Sequence, residues 1–390
     1  GHRSPIVGFT PSKMSQALFP KLAAELVRFC SFGHDTVLIN SKGRFVHRQV
    51  MATEYEKAER PWVMPTSGTI AILGGNGALG LVMGEWLLRK AKEQGVSGFR
   101  IQFLSRSMKI SDTNMPLWKQ IEALASDLGI EVEQAKVDIS SQEAVDEFIK
   151  GLTPNLAGII HSAGVLQDSM LMNLTWEKCE TVFDSKHRPA LFIHGALERF
   201  QQNDLKFFWN FSSTSVYGNM GQFNYSGSNS FLDSLTRHRV ARGKPSMAIQ
   251  WGAWGDVGMA STMDQASRAR VIGGPAPYFS NPEGLRGLEC GIATNLPYFS
   301  VFKINPAVYF AMIQPADNGL QNYSRNFTSE TLPTNLPPAI EPKHLYTTVR
   351  MAYGGSYTAE GRRRLCYERH VAPKVAENEK EWGDDFRQWT

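Results

Sequence analysis

TIAIL at residues 69–73 runs straight into GGNGALG at 74–80, and an apolar-periodic stretch follows to Gln94. A short, almost wholly apolar strand, a glycine turn and a helix, in that order, constrain this chain more than any other local pattern. Such a strand must be covered on both faces, and a sheet sandwiched between helices does that. The pattern recurs. FRIQFLSR reads as a second strand, WKQIEALASDL as a helix, VEQAKVDI as a third strand, QEAVDEFIKG as a helix and LAGIIHSAG as a fourth strand. DLKFFWNFSS and PSMAIQWGAWG are further strands ending in polar residues or glycine. Strands alternating with helices predict an α/β chain with a doubly wound parallel sheet, whose ligands bind beyond the carboxyl ends of the strands. Every motif below falls at such an end.

The glycine turn carries the first of them. Gly74, Gly77 and Gly80 are spaced three apart. Missing side chains there let the turn approach a pyrophosphate, which the helix N-terminus stabilises. The expected dinucleotide cradle is Gly74, Gly75, Asn76, Gly77, Ala78, Leu79 and Gly80; a purely structural turn is the alternative. The second strand ends in LSRS, without the acidic residue that accepts from the adenosine ribose. Arg106, with Ser105 or Ser107, stands there instead. A guanidinium grips a 2'-phosphate through two parallel bonds, so NADPH is expected rather than NADH, unless Arg106 is only a solvated surface residue. Asp138, beside Ile139, ends the third strand. It either accepts from the adenine amino group or caps the next helix. Ser162, Ala163 and Gly164 end the fourth strand and leave room for the nicotinamide side.

The second motif is NFSSTSVYGNMGQFNYSGSNSFLDSL, residues 210–235. A ketone reduced by hydride develops oxyanion character and needs a donor that also delivers a proton. A tyrosine does this when a nearby cation depresses its pKa. Tyr225 is followed one helical turn later by uncharged Asn229. The candidate cation is therefore Lys186, in FDSKHRP, whose bland alternative is an ordinary solvated lysine. Ser212 or Ser213 supplies a second hydrogen bond to the oxygen.

At these residues the chain resembles the ketoreductase domain of modular or iterative polyketide synthases, a branch of the short-chain dehydrogenase/reductase superfamily with a Rossmann-type fold. In that family Tyr-x-x-x-Asn replaces Tyr-x-x-x-Lys and the lysine comes from an earlier helix. The resemblance implies Lys186, Ser212, Tyr225 and Asn229 as catalytic residues, with Ser212 preferred over Ser213 by its spacing from the tyrosine. It implies that Asn229 supports Lys186 and a proton-relay water. It rests on GGNGALG, the SR at 105–106, HSAGVL at 161–166, GNMGQFNYSGSNSFLDSLTRHR at 218–239 and WGAWGDVGM at 251–259, over roughly residues 66–312. The implied reaction is NADPH-dependent reduction of a 3-ketoacyl thioester carried on the phosphopantetheine arm of an acyl carrier protein, among neighbouring synthase domains. Asp168 matches one marker of the B-type class, which gives a D-hydroxy product. Tyr217 stands where the opposite class has tryptophan, and no proline follows Tyr225 at the position linked to α-carbon epimerisation. Asp168, Tyr217, Gln222, Trp251 and Met259 are the candidate substrate and stereocontrol residues. Trp251 and Trp254 also read as core and lid-hinge packing. A free-standing dehydrogenase for small ketones or alcohols, and a catalytically silent docking module, are the rival readings.

The flanks read differently. Residues 1–65 are expected to be a partial structural subdomain or the tail of an upstream domain, with a helix over 12–30 and short strands in DTVLIN and RFVHRQV. A lid is expected near 255–280, and residues 281–313 are expected to add a helix and a final strand. Residues 313–390 read as linker or C-terminal extension. The chain starts Gly-His and looks excised from a longer synthase. A net charge of +4 without basic runs interleaved with aromatics argues against nucleic acid. No apolar run reaches membrane-spanning length. Cys30, Cys179, Cys290 and Cys366 lack metal or CxxC spacing, so a reducing, cytoplasmic setting is expected. His161, His187, His194 and His238 lack metal-site partners in sequence, and His161 reads as a packed residue at a strand end.

Overall fold

The computed structural model describes residues 62–201, 204–256, 269, 271–305 and 308–309 in full, and the backbone of five further strands. The chain forms two compact units. One comprises Ala52–Ile304 with His344–Thr348; the other comprises Gly1–Met51, Asn305–Lys343 and Val349–Thr390. The helix expected over 12–30 and the lid residues 257–268, Met259 among them, lie outside the described residues.

The larger unit carries seven parallel strands. In chain order they are β1 (Gly68–Leu73), β2 (Phe99–Ser105), β3 (Glu131–Lys136), β4 (Leu156–His161), β5 (Phe207–Ser213), β6 (Met247–Trp251) and β7 (Tyr298–Lys303). They lie in the order β3-β2-β1-β4-β5-β6-β7. The order reverses between β1 and β4, which places a ligand crevice at their carboxyl ends. The helices are α1 (Ala78–Gln94), α2 (Met115–Leu128), α3 (Gln142–Gly151), α4 (Trp176–Ser185), α5 (His187–Arg199), α6 (Phe223–Ala241) and α7 (Asn281–Ala293). The helix and final strand expected after residue 281 are α7 and β7.

Two cores cover the two sheet faces. Strand β5 shows why. Side chains alternate along a strand, so Phe207, Trp209 and Phe211 face α1, α2 and α7, while Phe208 faces α3, α5 and α6. Further along that second face stand Asn210 and Ser212, both buried. Helix ends follow local chemistry. Gly95 and Gly129 close α1 and α2 with φ of 66° and 64°, the left-handed cap that glycine adopts without strain. Ser280 and Glu283 form a reciprocal capping box at α7.

In the smaller unit, Thr36–Asn40 lies between a parallel strand, Ile6–Phe9, and an antiparallel one, Gly43–Val46. Arg48–Met51 pairs antiparallel with Val349–Ala352. A paired strand, Tyr346–Ala352, thus stands inside the segment expected to be linker or C-terminal extension.

Candidate active site

The glycine turn joins β1 to α1 at the point where the strand order reverses. Gly74 has φ +72°, and a Cβ there would lie 2.7 Å from the Ala163 Cα. The turn therefore sits flush against the end of β4, and only glycine makes both the angle and the approach. A Cβ on Gly80 would meet Gly74 O at 2.6 Å and Gly75 Cα at 2.7 Å, so the first turn of α1 packs directly onto the loop. By contrast, a Cβ on Gly77 would meet nothing within 4 Å except Gly74 O. The first turn of α1 has no acidic side chain to compete for its free N–H groups. Asn76 donates to Gln134 Oε1 (2.8 Å) and Lys109 O (3.2 Å), while its own buried Oδ1 has no partner among the described residues. This close-packed, anion-ready cradle fits a dinucleotide.

The neighbouring strand ends supply the rest of that half. Ser105 accepts from Met108 N at 3.0 Å, and Arg106 is exposed. Asp138 accepts from the Ser140 N–H and hydroxyl, at 3.0 and 2.7 Å. Those bonds, with Arg106 on the adjacent strand, hold its carboxyl below the usual range despite partial burial. Ser141, not Asp138, caps α3. Ile139 packs against the second core. Ser162 returns both its N–H and hydroxyl to Leu73 O, at 3.0 and 2.8 Å, and so ties β4 to the base of the glycine turn.

The candidate catalytic half gathers four residues from three separated places. Ser212 comes from the end of β5, Tyr225 and Asn229 from the first turns of α6, and Lys186 from the junction of α4 and α5. The junction has a local cause. Pro189 has no N–H for a bond to residue 185, and its ring would collide with that carbonyl, so one helix cannot run through. Pro189 is tolerated in the first turn of α5, and Lys186 takes the break with φ −127° and ψ −78°. The lysine is only 3% exposed. Its Nζ lies 5.2 Å from the centroid of the Tyr225 ring.

Asn229 is fully buried and donates to Tyr225 O (2.9 Å) and Ser215 Oγ (3.4 Å). Its carbonyl accepts from Ser212 Oγ at 3.3 Å, and its Oδ1 has no partner among the described residues. Asn229 thus binds the tyrosine and serine segments together. The direct partner of the lysine backbone is instead His161, whose Nε2 lies 2.6 Å from Lys186 O.

Behind these residues runs a buried polar chain with no counterpart in the sequence reading. Ser212, Gln250 and Ser300 are side by side in register on β5, β6 and β7. Gln250 Nε2 donates to Asp233 Oδ2 (2.6 Å), and Gln250 Oε1 accepts from Tyr217 Oη (2.5 Å) and Ser300 Oγ (2.6 Å). Burial pushes the Asp233 carboxyl up to about 6, against the pull of Gln250, Ser212, Arg237 and Lys186. Tyr217 is therefore tied by its hydroxyl into the sheet end.

The stereocontrol candidates separate. Gln222 donates to Asp168 at 3.0 Å, and Ser169 N donates to Gly221 O at 2.8 Å, which stitches the loop after β4 to the segment before α6. Asn224 reinforces this by donating to Gln167 O and Lys178 O. Trp251 does not face the cleft with them. At 4% exposure it packs among Phe211, Trp254 and Phe279. The alternation of β6 sends Gln250 to the catalytic face and Trp251 to the opposite core, so the core reading of Trp251 is the correct one. Among the described residues no cluster of His, Cys, Asp and Glu could hold a metal, and no helix is long and apolar enough to cross a membrane.

Sequence reasoning passed over Asp233, Gln250 and Ser300, and took His161 for packing. A polar residue in the middle of an otherwise apolar strand, as in MAIQW and YFSVF, was the available signal for Gln250 and Ser300.

A glycine turn at the crossover of a seven-stranded parallel sheet, with serine, tyrosine and lysine converging beside it, defines a reductase of the short-chain dehydrogenase/reductase superfamily, whose fold implies a nicotinamide cofactor. Comparison narrows the class: residues 68–256 match the KR domain family, and they form a ketoreductase domain of the polyketide synthase type. Polyketide synthase GfsA of Streptomyces halstedii is 32% identical over 259 residues, 64% of this chain and 3% of that protein. Mellein synthase of Phaeosphaeria nodorum is 34% identical over 204 residues, 50% of this chain and 11% of that protein. The chain thus spans a small part of the curated relatives it matches. Among solved structures, A-type ketoreductases from a modular polyketide synthase share the fold, with a TM-score of 0.64, 24% identity, and coverage of 81% of this chain and 62% of theirs.

Proposed function

We propose that this chain reduces the β-keto group of a 3-ketoacyl thioester, carried by an acyl carrier protein within a multidomain synthase, and that it uses NADPH to do so. The observation that carries the reading is the buried Lys186 ammonium, 5.2 Å from the Tyr225 ring centroid although it belongs to a different helix pair. A cation so placed stabilises the negative charge that develops on the Tyr225 oxygen as it gives its proton to the ketone oxygen, and the tyrosine is then reprotonated from solvent. Ser212 donates a second hydrogen bond to the same oxygen by swinging its hydroxyl from the 3.3 Å contact with Asn229 O. Asn229 keeps serine and tyrosine in register. NADPH bound on the glycine turn would supply the hydride. Arg106, exposed at the end of β2, is the residue that would recognise its 2'-phosphate, and Asp138 would accept from the adenine.

Two features favour a carrier-bound, D-hydroxy-forming reaction. Met170, Leu171, Met172, Met220 and Phe223 are all more than half exposed and flank the Ser169–Gly221 bond. They form an apolar rim suited to an acyl chain and its arm. Asp168 is held by Gln222 beside that rim, and Tyr217 is tied back by Gln250 and Ser300 rather than standing as a free ring.

The test is NADPH oxidation with a short 3-ketoacyl pantetheine thioester, comparing wild type with Tyr225→Phe and reading product configuration by chiral chromatography. Wild type should turn over to the D-hydroxy product, and the variant should lose about 10²–10⁴-fold in kcat. An L-hydroxy product would overturn the stereochemical assignment. Equal turnover by both proteins would overturn the role of Tyr225.

A further inference from the structure

We propose that His161 is a positioning residue for Lys186: its imidazole clamps the helix break that presents the ammonium to Tyr225. The inference rests on the ketoreductase reading, since it takes Lys186 as the working cation. The geometry fixes the chemistry of the ring. A carbonyl oxygen only accepts, so the 2.6 Å contact with Lys186 O requires the proton on His161 Nε2. The ring is fully buried, with a lysine nearby, and both disfavour a second proton, holding its pKa down to about 4. His161 is therefore the neutral Nε2–H tautomer, and its Nδ1 is a bare lone pair with no partner among the described residues.

That orphan atom argues against simple packing. An aliphatic side chain would fill the end of β4 without burying an unsatisfied nitrogen. What imidazole adds is the bond to Lys186 O. Proline sets where the helix breaks, but a break alone leaves the orientation of residue 186 loose. The bond removes that freedom at the main chain. The other end of the same lysine lies over the residues that follow the same strand: Nζ fills the room left by the missing side chain of Gly164, where a Cβ would come within 3.1 Å of it. The stretch His161–Gly164 thus holds the main chain of Lys186 by one bond and leaves room for its ammonium, beside which the Tyr225 ring lies.

The experiment compares His161→Gln with His161→Asn. A glutamine amide reaches the place of Nε2 and keeps the donor; an asparagine amide reaches only the place of Nδ1 and withdraws it. With the thioester and NADPH, the Gln variant should stay within about threefold of wild-type kcat, and the Asn variant should lose about tenfold or more with KM held. A merely structural residue would lower the melting temperature of both variants and leave kcat unmoved in both, and that result would overturn the inference. Nitrogen-15 spectra of the imidazole in wild type provide a readout independent of turnover. They should show a protonated Nε2 that does not titrate between about pH 5 and 8; a protonated Nδ1 would overturn the clamp. If the Asn variant does not fold, the tautomer decides. Wild type without any reductase turnover would overturn the ketoreductase reading and the inference with it. Wild-type turnover matched by both variants would overturn the inference alone.

Discussion

The two halves of the site are built from opposite materials. The cofactor half, at the ends of β1, β2 and β3, is made largely of backbone brought close by the absence of side chains. Gly74, Gly75 and Gly80 each leave less than 3 Å between a would-be Cβ and the nearest atom. Its ionisable groups, Arg106 and Asp138, are exposed. The catalytic half, at the ends of β4, β5 and β6, is made of polar side chains buried where apolar ones would ordinarily stand. His161, Lys186, Ser212, Asn229, Asp233 and Gln250 are all at most 6% exposed. A half that must follow the contour of a bound phosphate gains from close backbone approach. A half that must hold a proton donor and a cation in register gains from a hydrogen-bonded network out of water. The first should fail when atoms are added, the second when polar atoms are removed.

The largest expected effect is on the cofactor side. In Gly80→Val the new Cβ meets backbone at 2.6–2.8 Å, and backbone cannot swing aside. Overpacking of this kind costs about 1–3 kcal/mol or more. NADPH affinity, read by fluorescence titration, should fall at least about 100-fold, because the first turn of α1 is displaced from the anion it must meet. Near-wild-type affinity would break the contrast between the halves. On the catalytic side, Gln250→Leu is similar in volume but removes the donor to Asp233 Oδ2 and the acceptor shared by Tyr217 Oη and Ser300 Oγ, which keep only their bond to each other within this chain of contacts. It should cost about 1–3 kcal/mol in chemical denaturation and lower kcat, while NADPH affinity holds. Loss of affinity with kcat retained would mean that the two halves are not separable.

The same contrast explains what could be read in the chain before its structure. The sheet and the glycine turn are local patterns: TIAIL, GGNGALG and the periodic run to Gln94 are consecutive, and they become β1, the turn and α1. Residue chemistry makes Tyr225 and Lys186 candidates, but only the resemblance pairs them, since no local rule says that the end of α4 reaches the start of α6. The residues behind them stayed unread for a physical reason. Gln250 and Ser300 matter because three parallel strands align in register, and a one-residue slip would turn them into the opposite core. Asp233 sits in SFLDSL, which reads as an ordinary helix face. Only packing against β6 makes it a buried carboxyl. His161 reads as a packed residue in the sequence because the carbonyl it binds belongs to a helix break 25 residues away.

A smaller effect sharpens the cofactor side. Arg106 is exposed, so its interaction with a phosphate is screened by water and salt. Arg106→Ala should weaken NADPH by about tenfold and leave NADH almost unchanged. Its removal also takes away one of the influences that keep Asp138 ionised. Equal weakening of the two cofactors would mean that the arginine contacts a part they share.

The effect smallest in wild type concerns two buried titrating groups of the catalytic half, because their contributions oppose each other and show only by difference. Asp233 titrates near 6 when folded, above its ordinary 3.8. The folded state therefore holds that proton more tightly, and this contribution to stability, complete below about pH 4, is lost as pH rises through 6. His161 titrates near 4 when folded, below its ordinary 6.5. Here the unfolded state binds the proton more tightly, so stability present above about 6.5 is lost as pH falls toward 4. Between pH 4 and 6 the two slopes oppose each other, each worth up to about 3 kcal/mol across its window. Wild type should show a shallow urea midpoint in this range beyond the background of its other carboxylates. Asp233→Asn should unmask the histidine, with a midpoint rising more steeply with pH than wild type. His161→Gln should unmask the aspartate, with a midpoint rising less steeply or falling. Parallel profiles for all three proteins would show that neither group is held out of water as the structure places it, and the catalytic half would then be as solvated as the cofactor half beside it.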